Sequence, residues 1–450
     1  MNSPFVAENL FWMAVFGLLC LGLPSGIALN PNENDTAGIP RIHLALVLCV
    51  VALAFARNLA DPFLSDDYII VSGPAFHWQT FVAALHRPGG DGSFRPLGTV
   101  YYQLLITFAG KGPLNWHVVG LALHLLNVAL VFAIAWRLWR DKAAAVVSSL
   151  VFGLNGTRPE AALWTAGNCD LLACACVLGS IGLVLSTRAR LRLVAGLVLV
   201  AAGVLFKESA YAMPLIAFWI LRSRGPVRNL RNFLIGSCAV CGALFAWRWR
   251  LFHGPGGYID RATGQPAILS LHPLAAAKAV FLRMWAILLT PVDWDASQSW
   301  WLPLAIVFSL AAVLLLAAHS RAGAALRTHL CLIAAACCAV LPAIHLALIG
   351  QSALGSRILY LPAAPFALLI GCLTLGAGKR TIVVAAVMIA GMAGILEHNL
   401  TAWHKAALQA RALCRDATAQ PGKSVPGTVE GVFLFQNGYP ECIVAARILK

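Results

Sequence analysis

Two adjacent carboxylates, Asp66 and Asp67 in DPFLSDDYII (61–70), follow directly on a long apolar run. Neighbouring acids repel, so such a pair needs a cation, a proton or full hydration. Beside a membrane-length segment an acid is either functional or out in water. Other ionisable residues recur in the same kind of place. Arg95 lies in GGDGSFRPLGTVYY (89–102), His117 in NWHVVG (115–120), and Glu160 and Asp170 in GTRPEAALWTAGNCDLL (156–172). Lys207 and Glu208 interrupt apolar sequence in FKESAY (206–211), and Arg357 and Tyr360 lie in GSRILYLP (355–362).

Each of these has an ordinary reading. The Asp pair alone reads as a solvated loop. Lys207–Glu208 reads as a hairpin tip with an ion pair of little worth. Glu160 and Asp170 suit helix N-termini, and Arg95 and Arg357 suit lipid headgroups. His117 and His124 share one helical face, where the deeper His124 reads as packing. Their concentration between apolar runs points instead to chemistry at a membrane face. Acids and cations together fit transfer of a sugar from a lipid-phosphate carrier. One carboxylate takes the acceptor hydroxyl's proton. Arg, Lys or a divalent metal meets the charge developing on the leaving phosphate.

The elements that must hold these residues are membrane helices. The chain of 450 residues is 60% hydrophobic and 11% charged, with a mean hydropathy of +0.78, outside the range of soluble globular domains. The net charge of +15 does not form one patch, which argues against nucleic-acid binding. It is spread over RLWRDK (137–142), RARLR (188–192), RSRGPVRNLR (222–231), HSRAGAALR (319–327) and GKR (378–380). If these clusters are cytoplasmic, the alternating connections face outward: 61–115, 157–168, the KES near 207, 250–298, 350–358 and everything after 396.

The expected fold class is therefore all-α and polytopic, with about 11–13 transmembrane helices. The expected organisation is an N-terminal segment (1–42) carrying an extra span at 8–23, a transmembrane core (43–396) and a short outer tail (397–450). The apolar stretch 275–291 breaks the parity as a span and reads as a re-entrant or interfacial helix. In the tail, residues near 398–417 read as an amphipathic helix, and GVFLFQNGYPE (431–441) as a strand ending in an Asn-Gly turn. Of the 13 cysteines most lie in apolar runs and read as core residues. Cys238 and Cys241 lack His or acid partners for zinc. Cys414 and Cys442, in the tail, would pair only in an oxidising compartment.

The run FRPLGTVYYQLL…PLNWHVVGLALHLLNVALVFAIAWRL (94–138) resembles the RPL…HLVNLLLHLLNALLLY pattern of the TPR-bearing polytopic O-mannosyltransferases of the GT-C superfamily. PEAALWTAGNCDLL (159–172) is similar to that family's TEAVAWISGR.DLL, FKESAYAMPL (206–215) to SKE…LPL, and SRILYLP (356–362) to ERYLYLP. The ordered set covers roughly residues 61–365. The resemblance implies that Asp66, first of its acidic pair, is the catalytic base, that Glu160 is the second-loop acid and that Lys207–Glu208 is the family's KE pair. Arg357 then contacts the carrier phosphate. Asn168 stands where the family has Arg, and Ser356 where it has Glu. No TPR array follows residue 396, so the acceptors of the TPR-bearing enzymes are not carried over.

The resulting expectation is a GT-C glycosyltransferase of a bacterial inner membrane, with its site facing the periplasm. Its donor is a polyprenyl-phosphate sugar, its acceptor a protein, lipid or glycan, and its displacement single and inverting. Asp66, Asp67 and Glu160 are the expected catalytic residues. Arg95, His117, Asp170, Lys207, Glu208, Arg357 and Tyr360 are expected at the substrate, with Mg or Mn on Asp67 and Glu160 as an option. The rival is a transporter or lipid flippase, which would place polar residues at mid-membrane on broken helices.

Overall fold

A computed structural model describes residues 39–87, 93–186, 190–224, 230–257, 273–319, 324–346, 353–376 and 378–419, together with four short strands between 428 and 440. The expected helix at 8–23 lies outside the described residues, as do Gly89–Gly92 of the first connection and Cys442.

The helices in chain order are α1 (Arg41–Phe55), α2 (Asp67–Val71), α3 (Trp78–His86), α4 (Pro96–Ala109), α5 (Pro113–Trp139), α6 (Lys142–Gly153), α7 (Arg158–Ala162), α8 (Asn168–Ser186) and α9 (Arg190–Phe206). They continue with α10 (Met213–Arg224), α11 (Leu230–Phe252), α12 (Pro273–Lys278), α13 (Met284–Leu289), α14 (Leu302–His319), α15 (Ala324–Val340), α16 (Ala363–Cys372) and α17 (Lys379–Ala419). Among the described residues six helical stretches are long and apolar enough to cross a membrane: Arg41–Ala60, Pro113–Trp139, Thr165–Leu185, Leu230–Phe252, Leu326–Ile344 and Lys379–Asp416. Four shorter apolar helices pack with them. The fold is all-α and polytopic, because a backbone in lipid must satisfy its own hydrogen bonds.

Local sequence explains where these helices begin and stop. Pro96 and Pro113 open α4 and α5, where a missing N–H costs nothing. Arg140 closes α5 in the left-handed conformation (φ 55°). Asp141 then caps α6, accepting from the Ala144 amide at 2.9 Å. Its other oxygen accepts from Gly376 N at 3.2 Å, tying α6 to the connection after α16.

With 12 and 10 residues, α6 and α16 are too short for straight spans but are almost entirely buried within the bundle. Small residues let them approach closely: a Cβ on Gly371 would stand 2.6 Å from Ala144 O and overlap the Ser148 hydroxyl. Side chains such as Leu314, Phe281 and Val198 stay exposed on the outer surface of the bundle, as lipid-facing positions do.

Two expectations are refined. The last span and the tail helix are one continuous helix, α17, of 41 residues, about 60 Å long and longer than a bilayer is thick. In the tail, GVFLFQNGYPE holds three short strands rather than one: Val432–Phe433 (β2) pairs antiparallel with the preceding Thr428–Val429 (β1), and Phe435–Gln436 (β3) with Tyr439–Pro440 (β4). The second pair brackets the Asn-Gly dipeptide. The stretch 273–289 is helical with a π-turn at Ala279–Arg283, and its far end meets the bundle where Asn155 Nδ2 donates to Leu288 O at 3.1 Å.

Candidate active site

Tertiary contacts sort the helix ends into two sets. One end gathers the connection after α1, the start of α8, the turn after α9, the end of α11 and the middle of α17 around Glu397–His404. The opposite end brings Asp141 to Gly376, and Thr328 Oγ1 to Ser223 O at 3.2 Å. The sites singled out by sequence all belong to the first set.

Asp67 is buried (1% exposed) and joins two connections. Its Oδ2 accepts from Leu64 N and its Oδ1 from Ala166 N, both at 3.3 Å. Trp164 Nε1 reinforces the join, donating to Leu64 O at 3.1 Å. Burial pushes the Asp67 carboxyl well above the usual carboxylate range, against the pull of the two amides and with a further push from Asp66. Asp67 thus joins two connections through the backbone amides that its oxygens accept.

Asp66 is different. It is half-buried, and its carbonyl accepts from Ile69 N and Ile70 N at 3.0 Å to start α2. Among the described residues no donor reaches its carboxylate. The preceding residue, Ser65, holds a left-handed backbone (φ 51°), unusual for a side chain with a Cβ, and this turn sets the two acids on different sides. The structure therefore separates the acidic pair into one buried acid held by two backbone amides and one half-buried acid that no donor among the described residues reaches.

Around them stands a chain of ion pairs. Glu208 accepts from Arg95 Nε at 2.9 Å and from Arg248 Nη1 at 3.0 Å. Burial pushes its carboxyl up, but the two guanidinium groups outweigh that and hold it at about 2. Lys207 pairs with Asp170. Burial lowers the Lys207 ammonium from its ordinary value, and Asp170 opposes the shift. Arg357 lies 3.9 Å from the same Asp170 and 2.6 Å from Glu160, with its guanidinium 4.4 Å over the Trp164 ring.

Glu160 is saturated. Oε1 accepts from Gly355 N (2.9 Å) and Arg357 Nη1, and Oε2 from Arg357 N (2.8 Å) and Ser356 Oγ (3.1 Å). It clamps the 3₁₀ turn Ser356–Leu359, whose preceding Gly355 adopts φ 84°, a conformation glycine supplies without strain. Glu160 thus holds a turn in place, and its oxygens face N–H and O–H donors. Both Glu160 oxygens are taken by these donors, and both Asp67 oxygens accept backbone amides. Among the described residues no group of three or more His, Cys, Asp or Glu side chains gathers to hold a metal.

The remaining predicted residues divide. His117 is buried with Nδ1 3.1 Å from Leu59 O, edge-on to Phe63, and it orders the end of the first span. Tyr360 lies below the Arg357 turn, its hydroxyl donating to His124 Nδ1 at 2.7 Å. Asn168 donates to the Tyr101 hydroxyl at 2.9 Å.

Sequence reasoning missed Arg248, which sits in WRWR at the end of an apolar helix and reads there as an interfacial flank. It is 5% exposed by side chain, holds Glu208 and donates from Nε to Pro255 O at 2.7 Å. Its sequence setting, two arginines among tryptophans at a helix end, gives no sign of the buried ion pair. Arg158, buried beside Glu160, was also passed over. Cys414 is disulfide-bonded.

Among curated proteins, protein O-mannosyl-transferase Tmtc2 of Drosophila melanogaster is 32% identical over 310 residues, covering 63% of this chain and 31% of that protein. Protein O-mannosyl-transferase TMTC1 of Mus musculus is 27% identical over 158 residues, covering 32% of this chain and 17% of that one. This chain is a sequence relative of the protein O-mannosyl-transferases. Its match spans less than a third of the length of these relatives. No family model matches the chain. A solved structure, ArnT from Cupriavidus metallidurans bound to undecaprenyl phosphate, aligns over 91% of this chain and 88% of that chain, at 14% identity and a TM-score of 0.48.

Proposed function

We propose that this protein is a membrane glycosyltransferase that moves a sugar from a polyprenyl-phosphate donor to an acceptor hydroxyl at the end of the bundle carrying Asp66. The observation that carries the proposal is one carboxylate without a donor among the described residues, at the same end of the bundle as a cationic cluster. Asp67, Glu160, Asp170 and Glu208 are held by donors, and Asp66 is not. Arg95, Lys207, Arg248 and Arg357 supply four cations against the carboxylates Asp170, Glu208 and Glu160. These cations suit an anionic leaving group. The activity for which the sequence relatives are named, O-mannosyl transfer, supports the same class of reaction.

In the proposed step the acceptor oxygen attacks the anomeric carbon while Asp66 takes its proton. The bond from that carbon to the phosphate oxygen breaks, and the electron pair leaves with the lipid phosphate. Arg357 and Lys207 meet the charge that develops there. One displacement inverts the anomeric configuration. Neither Asp67 nor Glu160 takes part in the bond changes: Asp67 locks the Asp66 turn against Ala166, and Glu160 fixes Arg357.

The positive-inside clusters support a reading in which this end of the bundle faces the periplasm across a bacterial inner membrane. The acceptor is a protein, lipid or glycan hydroxyl reaching that face.

The test is a panel of radiolabelled polyprenyl-phosphate sugars, mannose included, incubated with purified protein in nanodiscs. Release or transfer of label from one donor, with free polyprenyl phosphate as co-product, is the expected result. No turnover of any donor by folded protein, or hydrolysis of a soluble nucleotide sugar instead, would overturn the proposal.

A further inference from the structure

Arg158 is fully buried, and among the described residues no acceptor meets its Nε, Nη1 or Nη2. Its guanidinium lies between two aromatic faces, 4.6 Å from the Tyr360 ring centre and 4.9 Å from that of Phe152. Burial lowers it to about 10, so it remains cationic at neutral pH. A charge buried without an opposite charge is normally a cost to the fold, and an apolar chain of equal volume serves stability as well or better. Stability therefore does not account for an arginine here, and its contacts must.

Those contacts converge on Tyr360. Arg158 covers the ring, Phe152 meets it edge-on at 5.2 Å between ring centres, and the hydroxyl donates to His124 Nδ1 at 2.7 Å. His124 is fixed in turn, with Nε2 3.1 Å from Gly153 O. Tyr360 directly follows the Ser356–Leu359 turn, and its amide donates to Arg357 O at 2.9 Å. The short helix α7 thus grips one segment with two side chains: Glu160 takes the amides and the guanidinium of the turn, and Arg158 takes the tyrosine behind it.

We propose that Arg158 is a positioning residue, whose stacking on Tyr360 holds the 355–360 segment in register with Glu160 and so fixes Arg357 over Trp164. Its effect on turnover rests on the proposed glycosyl transfer, but its effect on the segment does not. The cation–π contact is strongest when desolvated, as it is here, and Arg offers the flat face that Lys lacks.

The experiment is hydrogen–deuterium exchange on the full chain in nanodiscs, comparing wild type with Arg158→Met and Arg158→Lys. In Arg158→Met the peptide carrying the Gly355 and Arg357 amides exchanges about tenfold faster, while the rest of the bundle and the melting temperature are unchanged. Arg158→Lys gives an intermediate rate and decides the matter if the methionine variant does not fold. With a turned-over donor in hand, Arg158→Met raises its KM about tenfold with kcat nearly kept, and Arg158→Lys partly restores it. Unchanged exchange at 355–360 in the folded variants would overturn the proposal. So would faster exchange across the whole bundle with a lowered melting temperature, which marks a purely structural core residue. If wild type turns over no donor, the glycosyltransferase reading falls while the exchange result still decides the role of Arg158.

Discussion

Asp66 and Asp67 differ by one position and by everything around them. Asp67 is 1% exposed and accepts two backbone amides, and its burial pushes the carboxyl up against their pull; Asp66 is half-buried, and among the described residues no donor reaches its carboxylate. Adjacent residues on a short helix start point in different directions, and sequence alone shows the pair without that division. Glu208 gives the sharpest pH prediction at this scale. Its folded value of about 2 lies below the ordinary 4.5, so its ion pairs stabilise the protein above the unfolded value and are lost as pH falls through about 2. Thermal unfolding between pH 6 and pH 3 should show a falling melting temperature. In Glu208→Gln the midpoint starts lower and falls less over that window. Equal slopes in both proteins would remove Glu208 as a source of the acid sensitivity.

At the scale of elements, α7 and the Ser356–Leu359 turn form one unit through Glu160, and α6 packs on α16 through glycine. Gly371→Ala puts a methyl carbon into Ser148 and Ala144 O, and should cost about 1–3 kcal/mol of stability. Thermal unfolding in nanodiscs measures it, and Gly378→Ala, where a Cβ meets nothing within 4 Å, is the control. A Gly371→Ala protein as stable as wild type would contradict the close approach. Most helices were legible from hydropathy alone: the expected segments 116–136 and 169–187 correspond to α5 and α8. The turn after α9 was legible too, because Lys207 and Glu208 break an apolar run. The roles inside the site were less legible. Glu160 reads as a helix-start acid in sequence, and only the return of residues 355–357 across the bundle gives it four donors. Arg248 and Arg158 escaped notice because an arginine near the end of an apolar segment reads as a headgroup contact until its tertiary partner is seen.

The whole molecule is a bundle with a chemical end and a plain end. Arg57 pairs with Glu397 and His404 lies 2.6 Å from Asp61, so the last long helix is fastened to the first connection at the chemical end. Lys405 is exposed there, near Ser297 at 3.2 Å, while Arg222 is exposed at the opposite end. In intact cells Lys405→Cys should react with a membrane-impermeant maleimide, and Arg222→Cys only after permeabilisation. Labelling of both from one side would break the two-ended arrangement on which the site depends. The transporter alternative expects polar groups at mid-membrane on broken helices, whereas here the ion pairs gather where connections meet.

The most direct measurement is single-turnover transfer from the labelled polyprenyl-phosphate donor by wild type, Asp66→Asn and Asp67→Asn, each shown to be folded by its melting curve. A general base contributes roughly 100-fold or more, so Asp66→Asn should lose at least about that factor. Asp67→Asn, at an acid that takes no part in the proposed bond changes, should keep turnover within about tenfold, since it loses at most one of two amide contacts. Equal turnover by wild type and Asp66→Asn, or the larger loss in Asp67→Asn, would contradict the assignment of Asp66 as the base.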